Sequence, residues 1–434
     1  MTDITDQIKA AKAATVEMSI LSTDTKDDAL EAMADALDRN RARILEENGK
    51  DLEDVRGKIP GPMYKRMVVD DGKIDEMVKG IRSVESLKDP VGEVMSASDM
   101  DDGLTLYQIR CPVGMLGVVF ESRPDVVPQI MSLCLKSGNC VAFKGGSEAY
   151  RTIKAIFDVL KEAASSKGIP SSAFVLLESR EDFKEILDLD DYIDLLIPRG
   201  SNSFVRYVQE NTRIPVLGHA AGICHIYVDS DVDQDMAVNV AVDSKTQYPA
   251  VCNAVENILV NSSIAKEFVP KLVSAMAEKG VEVRGDDTVR KLVPGTKAAT
   301  EEDWFEEYDD LILALKVVDS LQDAIDFING HSSHHTEAIL TSDMHKASVF
   351  AKMVDSADVF VNASTRFADG YRFGKGAEVG ISTNKIHARG PMGMEGLMIY
   401  KYVLIGSGQV VRDYVGKDAK PFKHTASDRE YPLR

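Results

Sequence analysis

The residue of this chain best suited to covalent chemistry is a cysteine among polar neighbours. Cys252 lies in SKTQYPAVCNAVENILV, a turn that follows a helical stretch and precedes an apolar run, with Pro249 and the polar Gln247, Asn253 and Asn257 close in sequence. A thiolate attacks acyl carbons, forms a thioester and needs only a modestly lowered pKa to do so. Cys111, Cys134, Cys140 and Cys224 compete for the role. Free cysteines are ordinarily small buried hydrophobes, so local context leaves Cys252 one candidate among the chain's five. Their odd number, scatter and lack of a CxxC pair suggest neither a disulfide framework nor a zinc site.

Other polar groups are ambiguous on their own. HSSHH at 331–335 has metal-like spacing, but no paired cysteine, carboxylate cluster or HExxH helix accompanies it, so no metal is expected. Lys144 ends the strand-like NCVAFK and is followed by Gly145, Gly146 and Ser147, which on their own read as a solvated turn. Arg123 in FESRPDV reads as a ligand-binding cation or as a surface ion pair with Glu121 or Asp125. Trp304, the sole tryptophan, suits the core or a subunit contact.

The elements that must position these groups follow from periodicity. TDTKDDALEAMADALDRNRARILEENGKDLEDV spaces apolar residues at helical intervals, with Thr23 or Asp24 able to cap its start. Residues 92–119 contain strand-like runs around a DMDDG turn, as a hairpin would. GMLGVVF, NCVAFK, FVLLE and IDLLIPRG then alternate with helical stretches, the longest ended by Gly168 and Pro170. Continuous apolar strands between helices predict a parallel sheet covered on both faces. No strict GxGxxG follows any of them, so a dinucleotide would be held differently from the Rossmann fingerprint. A second β/α region follows NTRIPVLGHAAGICHIYVDSD, with helices near 232–245, 263–279 and 320–330, and the tail YKYVLIGSGQVVRDYVG can pair with the hairpin.

Composition bounds the function. The 434 residues exceed one ordinary core, and 70 acidic against 51 basic residues leave a charge of −19. Such an acidic chain does not suit a phosphate-backbone partner, so neither nucleic acid is expected. The acidic excess reads as a solvated surface, with adaptation to a salty cytoplasm as the alternative. No apolar stretch approaches a membrane span and MTDITDQIKAAKAA lacks the features of a signal peptide, so a cytoplasmic location is expected.

Six stretches in register carry a resemblance: CPVGMLGVVFESRPDVV, KSGNCVAFKGGSEA, IPRGSNSFVRYV, KTQYPAVCNAVENILV, HSSHHTEAI and RGPMGMEGL. Together the sequence resembles the aldehyde dehydrogenase superfamily, most closely its reductases of acyl phosphates, over nearly the whole chain. The resemblance implies an α/β fold with two doubly wound parallel-sheet domains and a small β oligomerisation flap. It divides the chain into a cofactor-binding domain (1–91 and 112–228), a catalytic domain (229–400), and an oligomerisation hairpin and tail (92–111 and 401–434).

It also implies roles for particular residues. Cys252 matches the nucleophile. Lys144 matches a lysine at the adenosine ribose, and Ser147 stands where NAD-preferring members carry a glutamate, which favours NADPH. Gly200 and Ser201 match the turn beside the pyrophosphate, at a helix N-terminus. Glu307, with Glu306 as a competing alignment, matches the glutamate at the nicotinamide ribose. Arg123 takes the place of the oxyanion-hole asparagine, where a cation can bind departing phosphate. Members that hydrolyse their thioester use a glutamate in Glu-Leu-Gly-Gly; here IPVLGHAAGICHIYV holds no carboxylate. His331, His335, Thr336 and Glu337 fit the pattern, whereas Phe327 replaces a histidine.

The implied reaction is NADPH-dependent reduction of L-glutamate 5-phosphate to L-glutamate 5-semialdehyde, the second step of proline biosynthesis from glutamate. A coenzyme-A-acylating aldehyde dehydrogenase is the alternative enzyme, and a catalytically dead scaffold the alternative class. A homo-oligomer is expected, and association with a glutamate 5-kinase stays open.

Overall fold

The structure, a computed structural model, describes residues 3–121, 123–218 and 221–433. Its N-terminal region is helical: α1 (Ile4–Met18), α2 (Thr23–Arg39), α3 (Arg41–Val55), α4 (Gly61–Met67) and α5 (Asp71–Glu85). Neither Thr23 nor Asp24 caps α2. Ser22 does, its hydroxyl accepting from Thr25 N at 3.1 Å and satisfying one of the otherwise unpaired first-turn amides. The hairpin is β1 (Val94–Asp101) and β2 (Leu104–Pro112), turning at Gly103, whose φ of 68° suits glycine.

Strand and helix then alternate as β3 (Met115–Phe120), α6 (Val126–Lys136), β4 (Cys140–Lys144), α7 (Tyr150–Ser165), β5 (Phe174–Leu176), α8 (Arg180–Ile186), β6 (Leu195–Arg199) and α9 (Asn202–Glu210). A second run comprises β7 (Cys224–Val228), α10 (Gln234–Thr246), β8 (Val255–Asn261), α11 (Ser262–Glu278), β9 (Glu282–Gly285), α12 (Asp287–Leu292) and β10 (Lys297–Ala298). It continues with β11 (Ile312–Val318), α13 (Leu321–His331), β12 (Thr336–Leu340), α14 (Met344–Met353) and β13 (Asp358–Val361). The chain ends with β14 (Gly380–Ser382), β15 (Gly390–Met392), β16 (Met398–Ile405) and β17 (Thr425–Ala426).

Two compact units result. The first holds Met1–Gly200, Val208–Val216 and Gly393–Arg434; the second holds Ser201–Tyr207 and Leu217–Met392. The first unit contains a parallel sheet in the order β5-β4-β3-β6 and an antiparallel one in the order β16-β2-β1-β17. Tail strand β16 pairs with the hairpin along Met398↔Pro112 to Ile405↔Thr105. The second unit carries a parallel sheet, β10-β9-β11-β8-β7-β12-β13. Every residue of β7 and β8 is buried, the polar His225, Glu256 and Asn257 included. Val255, Ile258 and Val260 pack on Phe268, Leu272 and Met276 of α11.

Cys224–Val228 pairs with β8 and β12 inside the seven-stranded sheet, and so belongs to the second unit. Pairing with β2 draws β16 into the first unit, which resumes at Gly393. Among the described residues no helix is long and apolar enough to cross a membrane.

Candidate active site

Cys252 lies in the short connection between α10 and β8, in the second unit. Asp233 anchors the start of α10 by accepting from Asp235 N and Met236 N, and β8 anchors the other end in the sheet core. The connection is pressed against the segment leading into β7. A Cβ placed on Gly222 would lie 2.2 Å from Cys252 O and 2.4 Å from Cys252 Cα, so only glycine fits there. The Cys224 thiol donates to Cys252 O at 3.2 Å.

Burial separates the five cysteines. It pushes the Cys134 and Cys224 thiols far up and Cys140 to about 12, while Cys111 is also raised by partial burial. These four stay neutral near pH 7 and are poor nucleophiles. Cys252 is half-buried, within reach of a substrate entering from solvent.

The polar neighbours hold the connection in place. Lys245 and Glu256, both fully buried, form an ion pair at 2.6 Å. Burial pushes the Glu256 carboxyl up to about 8, against the lowering effect of Lys245. Asn253 Nδ2 donates to Ala368 O at 2.8 Å, and Asn257 Nδ2 to Trp304 O at 3.4 Å. Arg366, from the turn Thr365–Phe367, donates through Nε to Gln247 Oε1 at 2.9 Å. Gly222, Lys245, Glu256 and Arg366 are absent from the sequence reading. No local pattern in the sequence marks either Gly222 or Arg366.

The residues matched to the cofactor fall at strand ends and a helix start. Lys144 is the last residue of β4, and its Nζ donates to Gly145 O at 2.6 Å. Burial lowers its pKa; Glu148 opposes this and Arg180 adds to it. Ser147 opens the single turn Ser147–Ala149, where the Glu148 carboxylate covers Gly146. A carboxylate therefore stands beside the position where the sequence shows serine. Gly200 follows β6, and Ser201 O accepts the first helical bond of α9 from Val205 N at 3.0 Å. Asn202 Nδ2 donates to Glu307 Oε2 at 3.2 Å, which joins Glu307 to this turn within the second unit. Arg123 forms the ion pair weighed for it, with Nη2 3.4 Å from Asp125 Oδ2 and its side chain 45% exposed. Ser122 beside it, and His219 and Ala220 of the carboxylate-free stretch, lie outside the described residues.

The histidine block is structural in its bonding. Glu337 Oε2 accepts from His225 N at 2.7 Å and faces His225 Nδ1 at 3.0 Å, while Ser332 donates to Oε1. His331 stacks on Phe327 with ring centroids 3.9 Å apart, and Trp304 meets Phe327 edge-on at 5.6 Å. Trp304 is a core residue, 4% exposed. Phe327 stands where the family pattern has a histidine, and this aromatic cluster is the packing that holds it. Among the described residues no group of three or more His, Cys, Asp or Glu could hold a metal.

Comparison with known proteins agrees along the whole length. The aldehyde dehydrogenase family model matches residues 1–291. A gamma-glutamyl phosphate reductase of Methanosarcina barkeri is 55% identical over 441 residues, spanning 99% of this chain and 98% of the relative. The crystal structure of a gamma-glutamyl phosphate reductase from Thermotoga maritima superposes with a TM-score of 0.92 at 42% identity, covering 94% of this chain and 99% of that one. An acetylating aldehyde dehydrogenase from Geobacillus thermoglucosidasius shares the fold alone, with a TM-score of 0.66 at 16% identity over 94% of this chain and 97% of its own. The chain therefore belongs to the aldehyde dehydrogenase family and, within it, to the gamma-glutamyl phosphate reductases.

Proposed function

We propose that the chain reduces L-glutamate 5-phosphate with NADPH to L-glutamate 5-semialdehyde, releasing phosphate, through a thioester on Cys252. The observation that carries the reading is the contrast around Cys252. It is a half-buried thiol pinned by Gly222, and the carboxylate nearest in sequence, Glu256, is locked on buried Lys245. A carboxylate held in that pair is poorly placed to activate water, so the thioester outlives hydrolysis and is available for reduction.

In the forward direction the Cys252 sulfur attacks the acyl carbon and the phosphate oxygen leaves with the bonding pair. Arg123, exchanging Asp125 for phosphate, is the cation proposed to receive it. Backbone amides near Cys252 hold the carbonyl oxygen as charge develops on it. NADPH, when bound, supplies the hydride. Lys144 and Ser147 are proposed for its adenosine end, Gly200 and Ser201 for the pyrophosphate and Glu307 for the nicotinamide ribose.

The fit is supported by Lys144, which precedes the glycines at 145 and 146 and lies within electrostatic range of a second cation, Arg180. Two positive charges in range of each other suit a 2′-phosphate, and Glu148 and Asp182 are the groups that oppose it. On this reading the first unit serves as the cofactor-binding domain and the second as the catalytic domain. The antiparallel sheet is the oligomerisation flap, the enzyme works in the cytoplasm, and a glutamate 5-kinase is the partner that would supply the acyl phosphate.

The test is phosphate-dependent oxidation of the semialdehyde, followed with NADP⁺ and with NAD⁺. Cys252→Ala is expected to lose at least about 1,000-fold in turnover while keeping NADPH affinity. Near-wild-type turnover in the variant would sink the mechanism. Coenzyme A replacing phosphate as acceptor would favour the acylating alternative.

A further inference from the structure

Arg366 is a buried cation with part of its hydrogen-bonding capacity unused. It is only 9% exposed, and Nε is fixed on Gln247, yet among the described residues its two Nη groups make neither a hydrogen bond nor an ion pair. Asp369 and Asp243 act on it through space without contact, and Arg372 adds positive charge, with Nη1 2.8 Å from Arg366 O. Neither Nη is among the fully buried polar atoms, so both can meet an anion entering from solvent, and their free donors suit a carboxylate or a phosphate.

The surroundings say which anion. Gln247 lies five residues before Cys252, and Ala368, two residues after Arg366, accepts from Asn253, the residue next to the nucleophile. The charge of Cys252 registers on Arg366. Arg366 and Cys252 also share one compact unit, which suits the part of the substrate that stays attached through both half-reactions rather than the group that departs.

We propose that Arg366, oriented by Gln247, binds the α-carboxylate of the acyl substrate. This rests on the proposed glutamyl substrate. Arg366 is thus a specificity-determining residue, reading the end of the substrate remote from the bond that changes.

The experiment compares phosphate-dependent oxidation of L-glutamate 5-semialdehyde with that of 4-aminobutanal, the same chain without the carboxylate. Arg366→Gln is expected to lose about 100-fold in kcat/KM on the semialdehyde and less than about threefold on 4-aminobutanal. The KM for phosphate and the pH profile of Cys252 alkylation by iodoacetamide should not move. Equal losses on both aldehydes, a raised KM for phosphate, or a shifted alkylation profile would each overturn the proposal, assigning Arg366 instead to the thiolate or the leaving group. Arg366→Lys guards against a misfolded variant: it keeps the charge but not the fork, and should raise KM for the semialdehyde about tenfold with kcat preserved. Unchanged KM in the lysine variant counts against the assignment. A wild-type enzyme indifferent to phosphate overturns the functional reading itself, and this proposal with it.

Discussion

At the scale of single residues, the site depends on backbone proximity as much as on side-chain chemistry. Gly222 shows this most directly, because any Cβ there would occupy the space of the Cys252 peptide. Gly222→Ala should cost about 1–3 kcal/mol of stability and, by displacing the nucleophile, lower kcat by about 100-fold. Gly80→Ala, in α5 with nothing near the added Cβ, is the control, expected to leave kcat unchanged. Thermal denaturation and turnover of the two variants check this; equal kcat in both would remove Gly222 from the positioning of Cys252. The sequence made Cys252 legible through its polar neighbours and the matching stretches. It left Gly222 and Arg366 unread, because neither carries a local signal: one matters through a contact thirty residues on, the other through a partner 119 positions away.

At the scale of elements, alternation of strand and helix was readable because β7, β8 and β12 are buried along their whole length. Which sheet β7 joins was not, since that depends on pairing with β8 and β12, distant in sequence. The edge of this sheet holds a pH-sensitive group. Asp358, at the start of β13, is 8% exposed with Oδ2 unpaired, and burial pushes its carboxyl up to about 6. Lys375 opposes the shift, Glu378 reinforces it, and a hydrogen bond from Thr336 and the charge of Arg389 oppose it more weakly. The folded state holds this proton to higher pH than the unfolded chain, whose aspartates titrate near 3.9. The stabilising contribution is therefore complete below about pH 4 and is lost as pH rises through about 6, amounting to roughly 2–3 kcal/mol. Asp358→Asn should melt higher than wild type at pH 8, with the gap closing towards pH 4. Parallel melting curves from pH 4 to 8 would show that Asp358 does not titrate in this range.

At the scale of the molecule, the antiparallel sheet is the surface that a single copy leaves incomplete. Its order puts β16 at one edge, paired to β2 on one side and to no strand on the other among the described residues. That edge is also apolar: Tyr402 is 62% and Leu404 57% exposed, with Ile399 and Tyr400 beside them. An open strand eight residues long invites pairing with another chain unless charge, proline or a bulge blunts it, and here Lys401 alone carries charge. A second copy is the partner expected to cover it, so wild-type protein should run as a dimer or larger in light scattering. Placing charge on the strand with Tyr402→Lys and Leu404→Lys should give monomers, because two ammonium groups would have to be desolvated at the interface. Monomeric wild-type protein, or an unchanged mass in the double variant, would show that this edge is not where copies meet.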